Sequence, residues 1–319
     1  MTTIATPAAS ASAAVPGAPA PGSVARQGSA GGRTTERRGT AALLVLGSCT
    51  SLQIGAALAM RLFPIAGAPG ATLLRLGLAA VVLLAIVRPR VRGWRPAQWR
   101  AVLLYGITIA GTNAFFYAAL SRLPLGAAVT IQFLGPLTLA AALSRRGRDA
   151  AWVLLAVIGV LTLGLAGSHS DGPGGAHGVL DLAGVTFALV SAAFWALYIV
   201  AGSRASAAVP GRGGLAVAMG VGAVAVAPFG AHGATQLAGR PHMVALALGM
   251  AVLASVVPYS LELAAMRRAP RRVFGILLSL EPAVATLAGW LLLGQHTAPV
   301  AIAAIVVVVG ASLGSTLGV

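Results

Sequence analysis

The chain has 319 residues, 58% of them hydrophobic and only 9% charged, with a mean hydropathy of +0.89 and a formal net charge of +16. Soluble domains carry roughly 25% charged residues, so most soluble enzyme classes are excluded from the outset. All 22 basic residues are arginine and they gather in loops between apolar runs, which directs the charge at lipid headgroups and membrane orientation, not at nucleic acid.

Residues 1–40 are rich in Ala, Pro, Gly, Ser and Thr, show no apolar period, and are expected to form a disordered cytoplasmic tail. No basic residue precedes Arg26 and no apolar region starts before Ala41, which argues against a cleaved signal peptide. From there on, apolar spans follow at approximately 41–63, 69–87, 98–120, 124–143, 150–167, 180–201, 214–231, 243–265, 272–293 and 297–318. About twenty residues rising 1.5 Å each cross the ~30 Å core of a bilayer, and runs this long and continuous exclude strands. The expected fold class is therefore an all-α membrane protein of ten transmembrane helices.

Arginine alternates from loop to loop. One set of alternating loops, beginning with the tail, holds eighteen arginines against three on the other, and Arg75 remains inside the second span. This bias puts both termini in the cytoplasm. The single Cys49 lies in the first span and cannot form an intrachain disulfide.

The stretch 118–136, AALSRLPLGAAVTIQFLGP, aligns without a gap on 264–282, AAMRRAPRRVFGILLSLEP, at an offset of 146. An offset of five spans turns the second copy upside down, as the loop arginines also indicate. The expected organisation is two inverted five-helix repeats, 41–167 and 178–319, with a substrate site near the midplane between them. Pro136 and Pro282 fall mid-span at matched positions of the repeat. Each frees the carbonyl four residues earlier, either as an ordinary kink or as part of a cavity lining.

Ionisable groups inside a bilayer are costly and therefore informative. Glu281, beside Pro282, can carry a proton, face a substrate ammonium, or pair with Arg75. Arg75 either snorkels outward or forms that buried ion pair. Glu262 lies a turn before Arg267 and Arg268 and can pair with them at the interface or join the path. Asn113 and Tyr117, four apart, share a helix face, and Gln53, Gln132, Trp195 with Tyr198, and Tyr259 complete a candidate lining for a substrate and proton path. Each of these neutral groups can equally serve in interhelical hydrogen bonding. Gly310, Gly314 and Gly318, like Ser51, Gly55 and Ala59, allow close backbone approach, either within the fold or in a homodimer.

Enzyme readings lack their residues. No pair of Asp lies within spans, no His is buried mid-span, and the absence of lysine removes any phosphate-binding loop of the ATPase type. The five histidines fall on or beside loops without metal-ligand spacing. No metal or cofactor is expected.

The stretches SLQIGAALAMRLFPIAGAPGATLLRLGLAA (51–80), TNAFFYAALSRLPLGAAVTIQFLGPL (112–137), SAAFWALYIVAG (191–202) and LLSLEPAVATLAGWLLLGQ (277–295) make the chain similar to the drug/metabolite transporter superfamily. It resembles the EamA-type ten-helix carriers, and more narrowly their threonine/homoserine exporter subgroup of the bacterial inner membrane. The similarity extends over about 41–318, and Gln53, Phe63-Pro64, Arg75 and Ser279 to Pro282 carry the narrower likeness. The resemblance implies export of small neutral amino acids or other metabolites, driven by proton exchange. The family often has Glu after the LLLG of the ninth span where this chain has Gln295, so coupling through that acid would not carry over. Efflux of amphipathic drugs or aromatic metabolites is the alternative within the fold, and a non-transporting scaffold or sensor the alternative outside it. With few aromatics mid-span, the sequence favours a small polar substrate.

Overall fold

The computed structural model describes residues 28–143, 147–166, 181–266, 277–295 and 299–317, and among them every regular element is helical. In chain order these are α1 (Gly28–Val87), a 3-10 turn (Val91–Gly93), α2 (Pro96–Leu120), α3 (Leu125–Gln132), α4 (Leu134–Leu143) and α5 (Gly147–Ala166). Then follow α6 (Leu182–Ala208), α7 (Gly213–Thr235), α8 (Pro241–Ala251), a π-helical segment (Val252–Val256), α9 (Val257–Met266), α10 (Glu281–Leu293) and α11 (Pro299–Leu317). Six helical stretches among the described residues are long and apolar enough to cross a membrane, and 151–160, α10 and 299–314 are shorter apolar helices.

The longest apolar stretch, Ala42–Val87, has 46 residues, more than twice what one crossing needs. It is broken at Gly67, whose φ of 65° and ψ of 171° glycine alone adopts without strain. Pro64 and Pro69 flank the break and withdraw two more helical N–H donors. The polypeptide therefore turns back here, and α1 acts as two arms. Helix α1 starts at Gly28, within the stretch read as a disordered tail. An apolar period is needed to bury a helix, not to form one, and Glu36, Arg37 and Arg38 suit a helix well. Residues 1–27 and the expected boundary between halves at 167–178 lie outside the described residues.

The arms of α1 pack chiefly on α7, α8 and α9, α2 on α6, and α5 on α11. Large apolar side chains such as Val81, Leu104, Leu154, Phe229, Leu291 and Val306 are exposed on the outside, as a lipid-facing surface requires. Inside, small residues bring backbones close. At Gly135 in α4 a Cβ would collide with the carbonyl oxygen of Ala192 in α6. The Ser51/Gly55 face of α1 packs within the molecule, Gly55 lying against the Ala254 backbone. Gly314 packs on Trp152, Gly310 is exposed, and Gly318 lies outside the described residues.

Candidate functional site

Three helix interruptions meet at the centre of the bundle, and each follows from a proline. Helix α3 ends at Gln132 and α4 resumes at Leu134, so Pro136 stands at the third position of the new helix, where its missing N–H breaks no bond that the interruption has not already given up. Helix α10 starts at Glu281 after a turn at Ser279–Leu280, with Pro282 at its second position. Glu281 thus lies in the first turn of a helix, where the backbone dipole favours negative charge. The third interruption is the π-helical segment before Pro258. The absent N–H of Pro258 leaves carbonyls a turn earlier without their helical donor. Arg75 Nη2 donates to the Ala254 carbonyl at 2.8 Å, and Ser51 Oγ to that of Leu253 at 2.8 Å.

Around these interruptions lies a cavity of about 450 Å³, within the range of small-molecule sites. Gln53, Asn113, Gln132, Trp195, Tyr259, Glu262 and Glu281 all line it, together with Arg75 and Pro136. Tyr117 does not: it is 0% exposed and stands behind Arg75, its ring 5.5 Å from the guanidinium and its hydroxyl accepting from Nη1 at 3.4 Å. Pro282 is buried beside the lining without being part of it.

Arg75 is 7% exposed, so it does not snorkel; besides Ala254 and Tyr117, it donates from Nε to Ser255 Oγ at 3.3 Å. Nor does it touch a carboxylate. Among the described residues the one ion pair is Arg122–Asp181, at 2.7 Å. Glu281 is 6% exposed and receives a long hydrogen bond, 3.4 Å, from Gln53 Nε2. Glu262 accepts from Ser48 Oγ at 2.9 Å, and its expected partners Arg267 and Arg268 lie outside the described residues. Gln132 Nε2 donates to Ser191 Oγ at 2.7 Å, and Ser191 in turn donates to the Thr112 carbonyl at 2.7 Å. Asn113 Nδ2 is returned to its own helix, donating to the Ile109 carbonyl. Two buried polar atoms around the cavity have no partner, Gln53 Oε1 and Thr112 Oγ1.

Sequence reasoning named Trp195, Tyr198 and Tyr259 for the lining but missed Tyr105, Phe116 and Phe133, which also contribute to it, with the Tyr105 and Tyr198 rings 5.2 Å apart. The chain has only 4 tyrosines, and all of them either line the cavity or support Arg75. That rarity was the available signal. Pro258 was the other, since the logic applied to Pro136 and Pro282 covers it equally.

The cavity has a direction. From Glu281 and Gln132 its wall continues along α6 through Tyr198 and Gly202 to Ser203 and Ser206, which are exposed. The loops near that end carry Arg88, Arg90, Arg92, Arg95 and Arg212. The opposite end is tied shut. Arg122 before α3 pairs with Asp181, which also caps α6 by accepting from the Ala183 N–H at 2.9 Å. These bonds, that from Arg122 first, hold the Asp181 carboxyl below its ordinary pKa. Gln295 Oε1 accepts the Leu125 N–H at 3.0 Å and so satisfies the first turn of α3, while Arg61 reaches the Leu292 carbonyl at 3.3 Å. Gln295 is thus a helix-end acceptor remote from the cavity, a task an amide oxygen performs as well as a carboxylate.

Residues 182–317 match the EamA-like transporter family. The chain is 39% identical over 282 residues to the threonine/homoserine exporter RhtA of Escherichia coli K12, covering 87% of this chain and 91% of that protein. It is 40% identical over 280 residues to the protein of the same name from Salmonella typhimurium LT2, covering 86% and 90%. A solved crystal structure shares the fold at a TM-score of 0.56 and 21% identity, covering 89% of this chain and 96% of that one.

Proposed function

The chain belongs to the EamA-like transporter family, and from that premise we propose that it is a secondary-active exporter of small neutral amino acids, threonine or homoserine in kind, in the bacterial cytoplasmic membrane. The likeness to exporters so named supports the substrate. The observation that carries the mechanism is the buried acid Glu281 at the wall of a cavity closed at one end and open at the other.

In this reading α1 crosses twice because of its break at Gly67, α3 with α4 crosses once, and α8 through α9 crosses once, giving ten crossings in two inverted halves. The arginine-rich loops face the cytoplasm. The open end of the cavity is then cytoplasmic and the Arg122–Asp181 end external, which is the loading state of an exporter. Alternating access would exchange the two closures around Glu281. A proton and a substrate ammonium take turns on this carboxylate. It cannot hold both at once, so outward movement of substrate is tied to inward movement of a proton.

Glu281→Gln tests this in proteoliposomes. The variant is expected to fold with normal yield and to lose both pH-driven export and substrate counterflow. Counterflow surviving alone would restrict Glu281 to the proton. Normal driven export would refute the assignment. If folded yield falls instead and Arg75→Gln restores it, the two residues form a structural pair.

A second reading is efflux of amphipathic or aromatic compounds, favoured by the aromatic wall from Phe133 and Trp195 to Tyr105. It predicts that aromatic amines compete with threonine in counterflow, whereas the leading reading predicts that they do not.

A further inference from the structure

We propose that Arg75 and Glu281 are the two poles of a receptor for the dipolar head of an α-amino acid, the guanidinium taking the substrate carboxylate and Glu281 with Gln53 taking the ammonium. This rests on the reading of the cavity as the transport site and assigns Arg75 a part that no family name supplies.

Arg75 cannot shed its charge, and it is held by three neutral acceptors: the Ala254 carbonyl, Ser255 Oγ and Tyr117 Oη. A guanidinium has five N–H donors. Three are engaged, which leaves two, the number a carboxylate accepts from the fork. Were Arg75 merely tying α1 to the carbonyl freed by Pro258, a neutral amide would do so without bringing a full charge into the membrane. The charge lacks a carboxylate within ion-pair distance among the described residues, yet it borders the same cavity as Glu281. An anion arriving in the cavity would be the first direct counterion it meets.

The other pole is equally incomplete. Glu281 has one weak partner, Gln53 Nε2, and the Oε1 of that same amide has none although Gln53 is only 1% exposed. A carboxylate oxygen beside an unpartnered amide oxygen is an acceptor pair suited to an ammonium, which is donor-only. A zwitterion leaving water for a buried site must find an opposite charge for each of its own, because either charge left alone keeps its full desolvation cost. Walls with one buried cation and one buried acid, not already paired with each other, meet that demand. A simple amine or a simple carboxylate leaves one pole unmatched.

The test uses the purified full-length protein in detergent, with tryptophan fluorescence reporting the melting temperature. The probes are L-threonine, L-homoserine and a panel of other neutral L-amino acids, each beside its carboxamide and its N-acetyl derivative. Free amino acids are expected to raise the melting temperature, and both derivatives to require at least about tenfold higher concentration for the same rise. Arg75→Gln should erase the difference between acid and amide, and Glu281→Gln that between free and acetylated amine. If other amino acids stabilise while threonine and homoserine do not, the substrate reading above fails and the dipolar receptor stands. If the amide matches the acid on the unmodified protein, or no free amino acid shifts the melting temperature, the receptor is refuted. The ligand series decides this without any variant having to fold.

Discussion

The break at Phe133 and the turn at Ser279–Leu280 stand at the same position of the aligned stretches 118–136 and 264–282, each followed by a proline. Their chemistry differs. In the first, Gly135 occupies the place that Glu281 holds in the second, and it is pressed against the Ala192 backbone of α6. Gln132, three residues earlier, donates to Ser191. In the second, the acid faces the cavity with a single long hydrogen bond. One copy of the motif is used to pack a helix and the other to leave a charge unmatched. The backbone is interrupted at both positions, and the difference between them rests on a few side chains.

That contrast can be broken most severely at Gly135. Gly135→Ala inserts a Cβ into a backbone oxygen that cannot swing aside, and a cost of about 2 kcal/mol or more is expected. Size-exclusion chromatography in detergent should show most of the protein lost to aggregates. Glu281→Gln at the matched position should give a monodisperse protein of normal yield that has lost driven export. If the two variants behaved alike, the division of labour between the breaks would be wrong.

A smaller effect is expected from Ser191→Ala, which strips the partner from Gln132 Nε2 and from the Thr112 carbonyl together. A loss of about 1 kcal/mol is expected in denaturant titration, with a lesser effect on transport than Glu281→Gln.

Gln295 sharpens the comparison from outside the site. Gln295→Leu deprives the first turn of α3 of its acceptor and should cost about 1 kcal/mol. Gln295→Glu, the residue frequent in the family, keeps an acceptor oxygen and adds a charge that the helix end favours. It should leave stability and export rate unchanged within about twofold. A large gain in driven export would instead show that the acid has a coupling role which this chain has lost.

The smallest effect concerns the closed end. The Asp181 carboxyl is held below its ordinary value of ~3.9, so its contribution is present above the unfolded-state value and is lost as pH falls through the lower folded one. Acidification from pH 7 to about 4 should leave the contact intact. Carbon-13 titration of the carboxyl should give a midpoint below the ordinary range, rising towards it in Arg122→Gln. The pair is exposed, so little stability goes with it.

Much of the site was legible before the fold was known. Glu281, Gln53, Asn113, Gln132, Trp195, Tyr259 and Glu262 were singled out because a polar group in an apolar span is costly and must find either a helix partner or a cavity, and they converge on one cavity. The same reasoning could not say which group faces the cavity and which stands behind it. Tyr117 and Asn113 share a helix face by spacing, yet Tyr117 is sealed behind Arg75 and Asn113 borders the cavity. Arg75 was assigned either to the interface or to a carboxylate, and it went to neither, because it meets two hydroxyls and the Ala254 carbonyl, which is freed by Pro258, 183 positions along the chain. The aromatic lining was underestimated for a related reason: the rarity of tyrosine marks these residues as candidates, but their convergence on one cavity is set by helix packing.

Composition and periodicity by themselves determined that this protein is a helical membrane protein, where its apolar spans fall, and which few polar side chains the bilayer would make costly. Those are properties of single segments against a uniform solvent, and hydropathy reads them directly. Only the tertiary structure decided that the breaks before Pro136, Pro258 and Pro282 meet at one cavity, that Arg75 has neutral partners while Glu281 remains almost unpaired, and that Gln295 serves a helix end. These depend on contacts between residues far apart in the chain, where the partner of a buried polar group is set by helix packing and not by its sequence neighbours.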